Sequence, residues 1–119
     1  PQLCITETQS DGVGRFGRSW HTPFGQNITM SLTYHFDQDI SELGGLSLLA
    51  ALSVAKALEG VCELTTPLHL KWPNDIIHDN KKVAGILIDA QVQFNGGCTV
   101  VIGMGVNVNL SGTQPIDQP

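Results

Sequence analysis

Positive charge is scarce in this chain. Six lysines and arginines stand against 11 acidic residues in 119, and five of the six gather in two short stretches: Arg15 with Arg18, and Lys71 with Lys81 and Lys82. Only Lys56 lies elsewhere. That distribution excludes the broad basic face that nucleic-acid binding requires, and fits a local pocket for a small anion such as a carboxylate or phosphate; the plainer alternative is a set of solvated loop charges. Cysteine is equally sparse. Cys4, Cys62 and Cys98 are odd in number and widely spaced among apolar neighbours, so they read as buried free thiols in a reducing compartment, with no disulfide framework or thiolate metal site. His21, His35, His69 and His78 lack ligand spacing. No apolar run reaches membrane-spanning length, no charged-then-apolar leader opens the chain, and neither internal repeats nor low-complexity tracts occur, which makes a cytoplasmic location and no membrane the expectation.

What is present suits one globular domain with a core of its own. The chain is 41% hydrophobic and only 14% charged, and its 13 glycines suggest a sheet-rich fold with many turns. The stretch 71–85, K-W-P-N-D-I-I-H-D-N-K-K-V-A-G, is the centre of that organisation. Pro73 pushes Trp72 towards extended geometry, so a strand from about residue 68 should close at Lys71 and Trp72. Asn74 and Asp75 follow at its exit, Ile76 and Ile77 continue, and the polar run 78–81 turns the chain into a return strand over 82–93. Such a hairpin brings Lys82 back towards Lys71 and Asp75.

Upstream, residues 2–8 form a strand running into the loop G12-V-G-R-F-G-R18. Its glycines permit positive φ and close backbone approach, and Arg15 and Arg18 add fork-shaped donors suited to carboxylate or phosphate. The loop fits neither the dinucleotide fingerprint nor the P-loop pattern. Trp20 is either a core plug or a stacking platform for a flat ring. Over 27–36, Ile28, Met30, Leu32 and Tyr34 share one strand face and Thr29, Ser31, Thr33 and His35 the other. A helix is predicted over 41–59, with Ser41 as N-cap and Gly60 as left-handed stop. A last strand over 98–109 carries Gly103 and Gly105, which suggests that something presses on its backbone, followed by Asn107 and Asn109 on the same face. The chain begins at Pro1 and ends in a Pro- and Gln-containing tail over 114–119, and neither end reads as a finished domain boundary.

Three motifs in order, G12-V-G-R-F-G-R18 with W20-H-T-P-F-G25-Q-N27, K71-W-P-N-D75 with K82-V-A-G-I-L87, and G103-M-G-V-N-V-N109, resemble the catalytic domain of biotin protein ligases across nearly the whole chain. The resemblance implies an α+β fold, a mixed but largely antiparallel sheet backed by helices, of the class II aminoacyl-tRNA synthetase-like, biotin–lipoate ligase type. It implies that residues 1–119 are the central part of one catalytic domain, with an upstream strand and helix before Pro1 and a small SH3-like barrel after Pro119. It further implies ATP-dependent formation of biotinyl-5′-AMP and transfer of biotin to a lysine of a biotin carboxyl carrier protein, with ATP and Mg²⁺ as cofactors. DNA binding would require a separate N-terminal domain, and a homodimer is compatible with the resemblance.

Residue by residue, the resemblance implies biotin contacts from Gln9, Gly12, Gly14, Arg15, Lys82, Gly85, Gly103 and Gly105. Nucleotide contacts would come from Arg15, Arg18, Trp20, Asn74 and Asn107. Arg15, Lys71 and Lys82 would clamp the two anions that must react, and Asp75 would orient or deprotonate the acceptor amine. Val13 and Phe16 stand where the family's loop carries arginines, which shortens the loop's cationic reach. A lipoate or octanoyl ligase and a non-catalytic biotin-binding module are the rival readings.

Overall fold

The structure, a computed structural model, describes residues 1–109; the expected tail at 114–119 lies outside the described residues. Six strands, β1 (Gln2–Thr6), β2 (Asn27–Phe36), β3 (His69–Lys71), β4 (Asp75–His78), β5 (Lys81–Val92) and β6 (Cys98–Asn107), form one sheet in the order β1-β2-β6-β5-β4-β3. Every pairing among them is antiparallel. One α-helix, α1 (Leu46–Val61), and two short 3₁₀ turns, Arg15–Gly17 and Ile40–Leu43, complete the described elements.

Alternation along the long strands separates two faces. Ala84, Ile86, Val100 and Ile102 point to one side and are buried with Ala51 and Ala55 of α1, forming the core. The small residues of α1 let it lie close to β3, β4 and β5. Leu3 and Ile5 on β1 stay exposed. The opposite face, built from the odd-numbered residues of β5 and β6, carries Gly85, Leu87, Gly103 and Gly105 and is open for a site.

The hairpin expected after Ile77 is present. Asp79 and Asn80 both adopt left-handed φ, 47° and 63°, the pair of angles that a tight two-residue hairpin turn needs and that short polar side chains tolerate.

Three expectations change. The helix begins at Leu46 rather than residue 41, because Gly44 and Gly45 interrupt it after a 3₁₀ turn that is capped by Asp39, whose side chain accepts a hydrogen bond from the Ser41 amide. Gly60 lies inside α1, which ends on Cys62 in extended geometry. Cys98 is buried as expected, but Cys4 sits on the edge strand β1 and Cys62 past the helix end, and both are exposed. Finally, the run Ile40–Val61 is long and apolar enough, by length and composition, to cross a membrane; in this fold α1 instead packs one side on the sheet, and its outward Leu49 and Leu52 remain exposed.

Candidate ligand-binding site

The site is laid out by strand register. Reading across the sheet, Thr6 pairs with Thr29, Thr29 with Gly105, Gly105 with Gly85, Gly85 with Asp75, and Asp75 with Lys71. Directly paired residues share a face, so this one row crosses all six strands and holds two hydroxyls, two glycines, a carboxylate and a lysine on the open side. The two glycines form a floor with no side chains.

Lys82 joins this row through a break in the register. Simple alternation from Ala84 and Ile86 would turn residue 82 towards the core. Ala84 pairs with Ile76 but Lys82 pairs with Ile77, leaving Val83 as an extra residue on β5. Such a β-bulge re-aims the following side chain. The Lys82 ammonium therefore reaches Asp75 Oδ1 at 2.9 Å, with only 15% and 5% of the two side chains exposed. Oδ1 has no aligned hydrogen-bond donor, so the contact is an ion pair.

Trp20 lies on the glycine floor. A Cβ added to Gly105 would fall 2.5 Å from its ring, and one on Gly85 would meet the ring at 3.5 Å and Lys82 Cε at 3.2 Å. This is the close approach that glycines inside the last strand suggested. Lys82 Nζ stands 5.3 Å from the centre of the Trp20 ring, in cation–π range. Trp20 is partly buried, neither a core residue nor a free platform.

The glycine-rich loop closes as a small hairpin of its own. Gly14 N donates to Arg18 O at 2.6 Å and Trp20 N to Gly12 O at 2.8 Å, with a bridge between Val13 and Ser19. Phe16 and Gly17 take left-handed φ at its tip. Gly12 is required by the loop itself, since a Cβ there would lie 2.5 Å from Trp20 O. The Arg15 guanidinium stacks 4.7 Å from the exposed Phe16 ring.

Loop and floor enclose a cavity of about 340 Å³. Gln9, Gly14, Arg15, Arg18, Trp20, Asn74, Asp75, Lys82, Gly85, Gly103 and Gly105 line it, so eleven of the sequence-expected site residues converge. Three do not line it. Gly12 sits in the loop's closure; Lys71 is on edge strand β3, exposed, in register with Asp75. Asn107 is tied at the rim, where its amide donates to Lys82 O at 3.3 Å and accepts from Asn27 Nδ2 at 2.8 Å. Asn74 lines the cavity, but its side chain donates to Ile86 O at 2.7 Å while its carbonyl accepts from Ile86 N at 2.9 Å, a double clamp that fixes the entry to β4.

The sequence reading passed over Thr29 and Ser31, which also line the cavity. The signal was there: both lie on the polar face of β2, the face that register turns towards the ligand side.

An open sheet face with a glycine floor, an ion-paired lysine above it and two arginines in an overhanging loop make a pocket whose shape and cations suit a small anionic molecule. The family model described as "Biotin/lipoate A/B protein ligase family" matches residues 1–109. The chain is 38% identical over 117 residues to the bifunctional ligase/repressor BirA of Bacillus subtilis, covering 98% of this chain and 34% of that protein. It is 36% identical to a biotin–[acetyl-CoA-carboxylase] ligase of Paracoccus denitrificans, covering 87% of this chain and 43% of the relative. The solved biotin protein ligase of Aquifex aeolicus in complex with biotin and ATP superposes with a TM-score of 0.74 at 31% identity, over 94% of this chain and 44% of that one. The chain belongs to the biotin/lipoate A/B protein ligase family. It spans about a third of the Bacillus relative's length.

Proposed function

We propose that this protein activates biotin with ATP and transfers it to a lysine of a biotin carboxyl carrier protein. The observation that carries this reading is the position of Lys82: a largely buried ammonium over a side-chain-free floor, at the end of a cavity overhung by Arg15 and Arg18. Biotin's carboxylate would lie against Lys82 with its tail over Gly85 and Gly105. Its attack on the α-phosphorus of ATP brings two anions together, and Arg15, Arg18 and Lys82 would hold them and stabilise the charge that builds as the mixed anhydride forms and pyrophosphate leaves.

Mg²⁺ on the phosphates would neutralise charge and assist the leaving group. Asp75 is already engaged by Lys82, so phosphate oxygens would supply most of the metal's ligands. The same ion pair keeps the lysine in place, and once the carboxylate of biotin is part of the mixed anhydride, Asp75 would orient the acceptor amine or take its proton.

The neutral polar groups of Gln9, Thr29 and Ser31 in the cavity lining favour a ligand with a polar head over the aliphatic chain of lipoate or octanoate. The exposed thiols Cys4 and Cys62 support a cytoplasmic location. Residues 1–119 are read as the central part of the catalytic domain, with the flanking parts of the longer relatives completing the site. Biotin-dependent exchange of labelled pyrophosphate into ATP tests the proposal. Exchange that requires biotin supports it; exchange that requires lipoate, or none with either acid while biotin binds, would replace it with one of the rivals.

A further inference from the structure

Thr29 is 7% exposed, and its hydroxyl has no hydrogen-bond partner among the described residues. A buried hydroxyl left unpaired is costly, and valine has the same shape, suits a strand at least as well and carries no such penalty. The hydroxyl is placed to be used: Thr29 pairs directly with Gly105, against which the Trp20 ring lies, and lines the cavity. Lys82 on β5 is two strands away across β6, which at ordinary strand spacing is roughly 10 Å. That is about the span of an extended biotin from its carboxylate to its cyclic urea.

We propose that Thr29 is a specificity residue whose hydroxyl hydrogen-bonds the urea of bound biotin while Lys82 holds the carboxylate at the other end. The inference rests on the reading of this cavity as a biotin site. A hydroxyl both donates and accepts, so it can give its proton to the urea carbonyl or receive one from a urea N–H. A ligand lacking that group leaves the hydroxyl buried and unpaired, and so discrimination exceeds the strength of the bond formed. Gln9 and Ser31, which also line the cavity, would extend the polar surface that meets the head.

The test is calorimetric titration of biotin into the wild-type protein and the variants T29V, T29S and T29A, with the melting temperature of each free protein recorded. T29S should bind within about threefold of wild type, whereas T29V and T29A should each bind about tenfold more weakly. Free T29V should melt no lower than wild type, because it loses an unpaired hydroxyl and keeps its volume. T29A and T29S differ only in the hydroxyl, so that pair decides the matter if T29V folds poorly. Equal biotin affinity for T29S and T29A, or unchanged affinity in T29V, overturns the role of Thr29 and leaves the biotin reading standing. Absence of biotin binding by the wild-type protein overturns both.

Discussion

Lys82 and Gly85, three residues apart on β5, face the same side of the sheet: Lys82 Cε lies 3.2 Å from the point a Gly85 Cβ would occupy. Alternation alone would put them on opposite faces, and the extra residue Val83 is what reconciles them. Inserting one residue between Ile76 and Ile77 would give Val83 a partner, restore regular pairing and turn the lysine towards the core. Activity should then fall at least as far as in Lys82→Ala, about 10²–10³-fold. Stability should fall as well, which Lys82→Ala should not cause to the same degree. An insertion protein with wild-type pyrophosphate exchange would show that the bulge does not aim the lysine.

The Asp75–Lys82 pair is largely removed from water, so breaking it from one side should be expensive. Asp75→Ala leaves an ammonium without its counter-ion and should cost about 3 kcal/mol in urea unfolding at unchanged m-value. Asp75→Leu combined with Lys82→Met should recover much of that loss while remaining inactive. If the double variant is as unstable as the sum of the two single ones, the pair is not coupled and the geometry has been misjudged.

Gly105 and Gly85 lie side by side in the floor, yet they should respond differently to a methyl group. Gly105→Ala places a Cβ 2.5 Å from the rigid Trp20 ring, whereas Gly85→Ala meets mainly the flexible end of Lys82. The first should lift Trp20 off the sheet, cost about 1–3 kcal/mol and make the tryptophan readily quenched by iodide; the second should leave the ring in place. Trp72, already exposed, gives the reference for a fully quenched indole. Equal quenching in the two variants would mean that Trp20 does not rest on Gly105.

Asp39 caps the turn ahead of α1, and its carboxyl is held below the ordinary 3.8 by the hydrogen bond from the Ser41 backbone amide, with a further one from the Ser41 side chain. With the folded value depressed, the unfolded chain takes up the proton first. The stabilisation is therefore complete above 3.8 and is lost as pH falls through the lower, folded value. In Asp39→Ala the acid limb of the stability curve should be flatter over that window. Titration of Asp39 by NMR at or above 3.8 would contradict the assignment.

Local signals carried much of the fold. Strict alternation marked β2 over its full observed length, the Asp79-Asn80 turn marked the β4–β5 hairpin, and Gly103 and Gly105 announced a close neighbour before Trp20 was seen above Gly105. Pairing register is non-local, and the features that depend on it were hidden. Nothing in the run K-K-V-A-G discloses that Val83 is a bulge, or that Thr29 would stand beside Gly105 across β6. Asn74 gave no sign of its clamp on β5, because its partner, the Ile86 carbonyl, lies 12 residues further along the chain. Ser41 looked like a cap, but Asp39 reaches the Ser41 amide first, and two consecutive glycines postpone the helix to Leu46.

The central claim is that Lys82 holds the carboxylate of biotin. Titrating biotin and its alcohol analogue biotinol, which lacks the charge, into wild-type and Lys82→Met protein tests it directly. The wild type should prefer biotin by about tenfold or more, and in Lys82→Met the preference should vanish through weaker biotin binding alone. A wild-type protein that binds the two equally, or a preference that survives the loss of Lys82, would contradict the account.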